Sequence, residues 1–125
     1  MITATGKKEP YITELTDGIH LFSADTPLAD GGSGLHQRPT DILISALAAC
    51  VNITTRMLLD KESLPYDRVV VQADLDRIDP DHPAFTAHVD IQGDIPREKK
   101  EAIIARVSRC PVCKLLRSPA DVIVS

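Results

Sequence analysis

A chain of 125 residues that is 43% hydrophobic holds enough apolar material for one core of ordinary size, and its 26% charged residues and apolar content exclude disorder. The net charge of −4, from 14 Lys and Arg against 18 Asp and Glu, gives no global attraction to nucleic acid or anionic lipid. Tyr11, Phe22, Tyr66 and Phe85 are the aromatic residues, so base-stacking platforms are missing and Leu, Ile, Val and Ala must fill the interior.

Residues 1–11 carry Lys7 and Lys8 with no apolar stretch behind them. No uninterrupted apolar run reaches the ~18 residues of a membrane span, so the chain reads as cytoplasmic with no membrane partner. Tyr11–Leu15 and Ile19–Ser23 alternate around Asp17-Gly18, which predicts a hairpin. Residues 24–38 collect Asp25, Pro27, Asp30, Gly31, Gly32, Ser33 and Gly34 and read as a loop; the Gly-Lys-Ser/Thr ending of a phosphate cradle is missing. Pro39, Thr40 and Asp41 open a helix predicted over 39–62 and closed at Leu64-Pro65. No charge falls between Ile42 and Thr55, so this helix is expected to be central and buried nearly all round. A domain of this size struggles to cover both sides of such a helix, and a second copy of the chain is expected to complete the cover as a homodimer.

Arg68–Arg77 and Ala84–Gln92 predict a longer hairpin across the turn Ile78–Pro83. Asp94 then caps a predicted amphipathic helix with Pro96 in its first turn and Ile95, Ala102, Ile103 and Val107 as its apolar stripe. Cys110-Pro111 interrupts that helix and restarts a short turn to about Leu116, and Asp121–Val124 reads as a final strand. The whole is an α+β chain with no linker or repeat, one domain over 1–125.

Cys50, Cys110 and Cys113 are an odd number of thiols for a reducing compartment, where such residues are more often reactive or metal-binding than disulfide-forming. Cys50 sits mid-helix with Leu43, Ala46, Leu47, Thr54 and Met57 on its side, and apolar surroundings raise a thiol pKa. Reactivity there requires a cation from elsewhere; without one it is a structural cysteine. Cys110 precedes Pro111 at a helix start, where unpaired N–H groups favour a thiolate, and Arg109, Lys114 and Arg117 lie close in sequence. Cys113 completes a CxxC, which is a dithiol redox pair, half a zinc site or two unlinked thiols. His20, His36, His82 and His88 show no metal-type spacing, so no metal ligands are assigned.

Together these segments resemble a known family. Pro39–Cys50 followed by Thr54-Thr55-Arg56-Met57 resembles the Cys-bearing central helix of the OsmC/Ohr proteins, and Ile91–Ile95 leading to Arg109-Cys110-Pro111-Val112 resembles their second helix and Cys-Pro motif. The resemblance implies antiparallel sheets packed on the long central helix of an intertwined homodimer, with two sites at the subunit interface. It also implies a thiol peroxidase acting on organic hydroperoxides or hydrogen peroxide, with Cys50 as the peroxidatic thiolate and Cys110 as the resolving cysteine. No cofactor is implied beyond an external dithiol reductant. Two departures stand out. The family's activating Arg from the N-terminal strands is missing, since no Arg precedes Arg38, and Thr40 stands where a Glu is found. Arg38, Arg56 and Asp41 are the candidate substitutes, and the chain resembles the less defined OsmC-like branch. Cys113 replaces a usual His or Ser; it is a second candidate for resolving Cys50, or the partner of Cys110 in an intramotif disulfide. With Cys110 as resolving cysteine, Cys113→Ser is expected to keep most recycling. Two other functions stay open: a catalytically silent dimer that binds a small apolar ligand, and a CxxC redox or zinc protein.

Overall fold

The structure, a computed structural model, describes residues 1–125 as two compact units, 1–43 and 44–125. In the first, strands β1 (Thr3–Gly6), β2 (Thr13–Thr16) and β3 (Leu21–Ala24) form an antiparallel meander in that order. The β2–β3 hairpin is the expected one, with Thr13 opposite Ala24 and Thr16 opposite Leu21. Its turn is closed by Asp17, whose Oδ1 accepts the N–H groups of Ile19 at 2.9 Å and His20 at 2.7 Å, while Gly18 takes φ 98°. Strand β1 was not foreseen, because Thr-Ala-Thr-Gly carries too little apolar alternation to announce a strand; it is held by pairing with β2.

The loop after β3 is organised by the buried carboxylate of Asp25. Its Oδ1 accepts from the N–H groups of Thr26 at 2.7 Å and Tyr11 at 3.3 Å, and its Oδ2 from the N–H of Ser33 at 3.1 Å and the Ser33 hydroxyl. Gly32 is obligatory here, since a Cβ would stand 2.0 Å from the Thr26 carbonyl oxygen. The Ser33 hydrogen bond, with those of the three N–H groups, holds the Asp25 pKa down at about 2, and the His20 ring does the same for Asp17, also at about 2. Both carboxyls titrate near 3.9 when unfolded, so their ionised forms stabilise the fold above about pH 4 and lose that contribution as pH falls towards 2. Urea unfolding across that window is expected to show falling stability in the wild type and a shallower fall in Asp25→Asn, with the residual slope belonging to Asp17.

A 23-residue helix α1 (Pro39–Lys61) runs out of the first unit, and most of it lies in the second. It is long and apolar enough to cross a membrane by length and composition, yet its Leu47, Val51, Thr55 and Leu59 are buried at i, i+4 spacing in the protein core. The buried Thr55 hydroxyl donates to the Val51 carbonyl at 2.7 Å, and the Asn52 amide donates to the Val69 carbonyl at 2.9 Å. The expected burial nearly all round is not met within one chain. Ile53 is 45% exposed and Met57 66% exposed, because the rest of the unit supplies one apolar face for α1 to lie on. The helix stops where Ser63 turns to φ 54° and the Leu64 N–H reaches the Leu59 carbonyl at 2.9 Å.

Strands β4 (Arg68–Asp76) and β5 (Ala84–Gln92) pair along their whole length, from Arg68 opposite Gln92 to Asp76 opposite Ala84, as the alternation predicts. Val69 and Ile91 face each other in the core. Gly93 then passes so close to the preceding connection that a Cβ would meet the Tyr66 Cα at 3.0 Å, and it adopts φ 148°. Helix α2 (Arg97–Val107) buries Ile103 and Val107, two members of the expected stripe. Its start corrects the sequence reading: Pro96, not Asp94, occupies the cap position, and its carbonyl accepts from Lys99 at 3.0 Å and Lys100 at 3.1 Å. Burial of Ile95 fixes the chain before the helix begins, which leaves Asp94 outside it. Arg106 of α2 forms an ion pair with Glu62 just beyond α1. Helix α3 (Pro111–Arg117) follows at Cys110, as expected. The final strand is not formed. Val122, Ile123 and Val124 are 88–89% exposed and form no strand.

Candidate functional site

Cys50 and the Cys110-Pro111-Val112-Cys113 segment are sixty residues apart in sequence, yet all three thiols meet on one side of the core. Cys110 is 2% exposed at the N-cap of α3; Cys50 and Cys113 are half-buried and pack on the cluster that contains Cys110. The Cys110 Sγ accepts the Cys113 N–H at 3.4 Å, which places the two sulfurs across one helical turn, 2.7 Å apart, with the Cys110 thiol donating. All three cysteines are free, and a separation of this size precedes a bond of about 2.05 Å with little movement. Cys50 packs against the cluster that holds Cys110, near enough to bear on the Cys110 thiol. Cys110 thus has Cys113 in direct contact and Cys50 packed on the same cluster.

Burial, reinforced by the hydrogen bond to Cys113, pushes the Cys110 thiol above its ordinary value. That corrects the expectation that the helix start makes Cys110 a ready thiolate: the single N–H of Cys113 and the neighbouring Cys50 pull the other way, but removal from water outweighs them.

The remaining candidates each have a partner of their own. Arg38 forms a forked pair with Asp41, Nε and Nη2 each 2.9 Å from a carboxylate oxygen, and the Arg56 Nε donates to Asn52 Oδ1 at 2.9 Å. No group of three His, Cys, Asp or Glu side chains is arranged to hold a metal ion.

Beside the thiols lies an apolar cavity of about 290 Å³, bounded by Leu47 and Val51 of α1, Phe85, Ala87 and Val89 of β5, Ile104 and Val107 of α2, and Leu116 of α3. Cys113 is the cysteine on its wall, with Ser108 and Arg117 as polar neighbours. The Arg117 Nη1 donates to the Ser108 carbonyl at 2.6 Å, which fixes the guanidinium at the cavity edge. Cys113, Leu47 and Arg117 were named from sequence, but not as walls of one cavity. The signals were there, in the alternation 85, 87, 89 of one strand face and the i, i+4 step from Cys113 to Arg117, but they name a face without naming what stands opposite. A second hollow, of about 530 Å³ in residues 1–43, has Asp25 as its charged member, and that carboxylate is already filled by its loop.

An OsmC-like protein family model matches residues 31–125. Among solved structures, an OsmC-like protein from Mycoplasma pneumoniae superposes with a TM-score of 0.78 at 18% identity, covering 94% of this chain and 86% of that one. An organic hydroperoxide resistance protein OsmC from Legionella pneumophila gives 0.66 at 22% identity, with 94% and 88% covered. The organic hydroperoxide resistance protein OhrB of Bacillus subtilis gives 0.65 at 22% identity, with 94% and 89% covered. At these identities the likeness is one of fold. A comparison with curated proteins finds no match.

Proposed function

The chain belongs to the OsmC-like protein family and has the α+β fold of OsmC and Ohr proteins, and from that premise we propose that it is a thiol-dependent peroxidase of oxidative-stress defence. The observation that supports this reading is the packing of Cys50 on the cluster that holds Cys110, sixty residues away in sequence, with Cys113 on the wall of an adjoining apolar cavity. The Cys50 thiolate attacks the distal oxygen of a hydroperoxide, the alcohol or water leaves, and Cys50 is left as a sulfenic acid. Cys110 condenses with it, releasing water and forming a disulfide. An external dithiol then reduces that bond by exchange. The chemistry needs no cofactor and suits the reducing cytoplasm, where three free thiols persist.

The cavity wall favours an organic substrate. Leu47, Val51, Phe85 and Val89 offer an alkyl or aryl group the surface that hydrogen peroxide has no use for. Cumene hydroperoxide is expected to drive dithiol oxidation faster than hydrogen peroxide; equal rates count against this assignment of the cavity. The exposed apolar side of α1, with Ile53 and Met57, supports a homodimer in which a second copy covers it, and sedimentation of the same preparation reads that state.

One observation favours a second reading, a catalytically silent dimer that holds a small apolar ligand in the cavity. Arg38 and Arg56, the arginines offered as activators of Cys50, are paired with Asp41 and Asn52. Under that reading the apolar ligand binds and Cys50 does not react with hydroperoxide, and the assay above separates the two.

A further inference from the structure

The core cluster gathers three thiols, one more than a peroxidatic and a resolving cysteine require. Cys110 is 2% exposed, so a disulfide between Cys50 and Cys110 offers a reductant little access at the Cys110 sulfur. Cys113 is the thiol that stands on the cavity wall, and it already touches Cys110 at 2.7 Å. We propose that Cys113 is a third redox-active thiol, which takes the disulfide over from Cys50 by exchange at Cys110 and presents it to the reductant from the cavity. The inference rests on the peroxidase reading above and makes Cys113 a participant, where the sequence led us to expect a dispensable residue.

The step balances without a further oxidant. Cys113 gives up its proton and its sulfur attacks Cys110 Sγ opposite the Cys50–Cys110 bond. The Cys110–Cys113 bond forms, the Cys50–Cys110 bond breaks, and its electron pair leaves on Cys50 as a thiolate. Nothing is oxidised or reduced overall; the disulfide changes owner. An external dithiol later supplies two electrons: one of its thiolates attacks Cys113, Cys110 leaves, and its second thiol releases the mixed disulfide. Because Cys50 is freed before the reductant arrives, it can meet a second hydroperoxide and stop as a sulfenic acid with no thiol left to condense with it.

The fully reduced chain is treated with one equivalent of cumene hydroperoxide without reductant, quenched with an alkylating agent, and mapped by mass spectrometry. The expected product is a Cys110–Cys113 disulfide with Cys50 alkylated. A second equivalent is then consumed, and its product is trapped at Cys50 by dimedone. In Cys113→Ser, and equally in Cys113→Ala, Cys50–Cys110 accumulates, a single equivalent is consumed, and turnover with a dithiol falls by about tenfold or more. In Cys50→Ser, one equivalent leaves Cys110 and Cys113 reduced. A wild-type map that shows Cys50–Cys110 with Cys113 alkylated, and full turnover in Cys113→Ser, overturns the exchange and leaves the peroxidase standing. A Cys110–Cys113 bond formed in Cys50→Ser at the wild-type rate overturns it as well, since the peroxide then acts on the CxxC directly. A wild-type chain in which no cysteine is oxidised removes the peroxidase reading, and the exchange falls with it.

Discussion

Replacing Cys50 by serine is expected to lower hydroperoxide-driven dithiol oxidation by at least about a thousandfold, because the attacking atom itself is removed and a neutral hydroxyl is a far weaker nucleophile towards the peroxide bond. The fold is expected to survive. Cys50 is half-buried, serine is smaller by a fraction of an atom, and the residues that seat α1 are Leu47, Val51, Thr55 and Leu59 rather than Cys50. The same assay on Cys110→Ser has a different signature: Cys50 is oxidised once, its sulfenic acid is trapped by dimedone, and turnover stops for want of a partner. A Cys50→Ser chain that consumes dithiol and cumene hydroperoxide at the wild-type rate removes the peroxidase assignment. A Cys50→Ser chain that loses helix content by circular dichroism shows that the position is structural, and the loss of activity then carries no chemical meaning. The pair of variants separates the attacking sulfur from the one that relieves it.

The sequence made local order legible and left the meeting of distant parts to the fold. Helix α1 and the β4–β5 hairpin follow from an uncharged run opened by Pro39 and from β-rich, partly alternating segments either side of an Asp-Pro turn, both readable within a few residues. The closeness of Cys110 and Cys113 was legible in the same way, since N-cap and third helical residue face each other in any helix start. The approach of Cys50 to Cys110 was not, because it depends on how α1 and α2 pack, and it came to the sequence reading by resemblance alone. Where local signals misled, a tertiary term outweighed them. Asp94 has the chemistry of a cap but Ile95 is drawn into the core beside it, and Cys110 has the helix start that favours a thiolate but is too deeply buried to profit from it. The all-round apolar character of α1 was legible as composition, and the side that one chain leaves bare, with Ile53 and Met57, is the side the sequence reading assigned to a second copy.

Ile103→Ala is expected to cost about 3 kcal/mol, near the middle of the range for emptying a fully buried aliphatic site. Ile103 is 0% exposed on α2 and belongs to the cluster that holds Leu59, also 0% exposed, with Val107 and Cys110. Neighbours on both sides are fixed by regular structure: α1 is tied to β4 through Asn52 and to the end of α2 through Glu62 and Arg106. The hole cannot close by a loop shifting, so the lost contacts are not recovered. For a chain of this length, such a loss lowers the melting temperature by roughly 10 °C, measured at matched protein concentration so that association does not mask it. The adjacent Ile104 supplies the control. It lines the cavity and is 37% exposed, so Ile104→Ala enlarges a space that is already open and is expected to cost less than about 1 kcal/mol. Equal losses at the two positions would mean that the cavity is filled in solution, by an apolar ligand or by the partner copy, and that Ile104 is as buried as its neighbour. The comparison of these two adjacent side chains, about 100° apart around α2, therefore tests the core and the emptiness of the cavity in a single pair of melts.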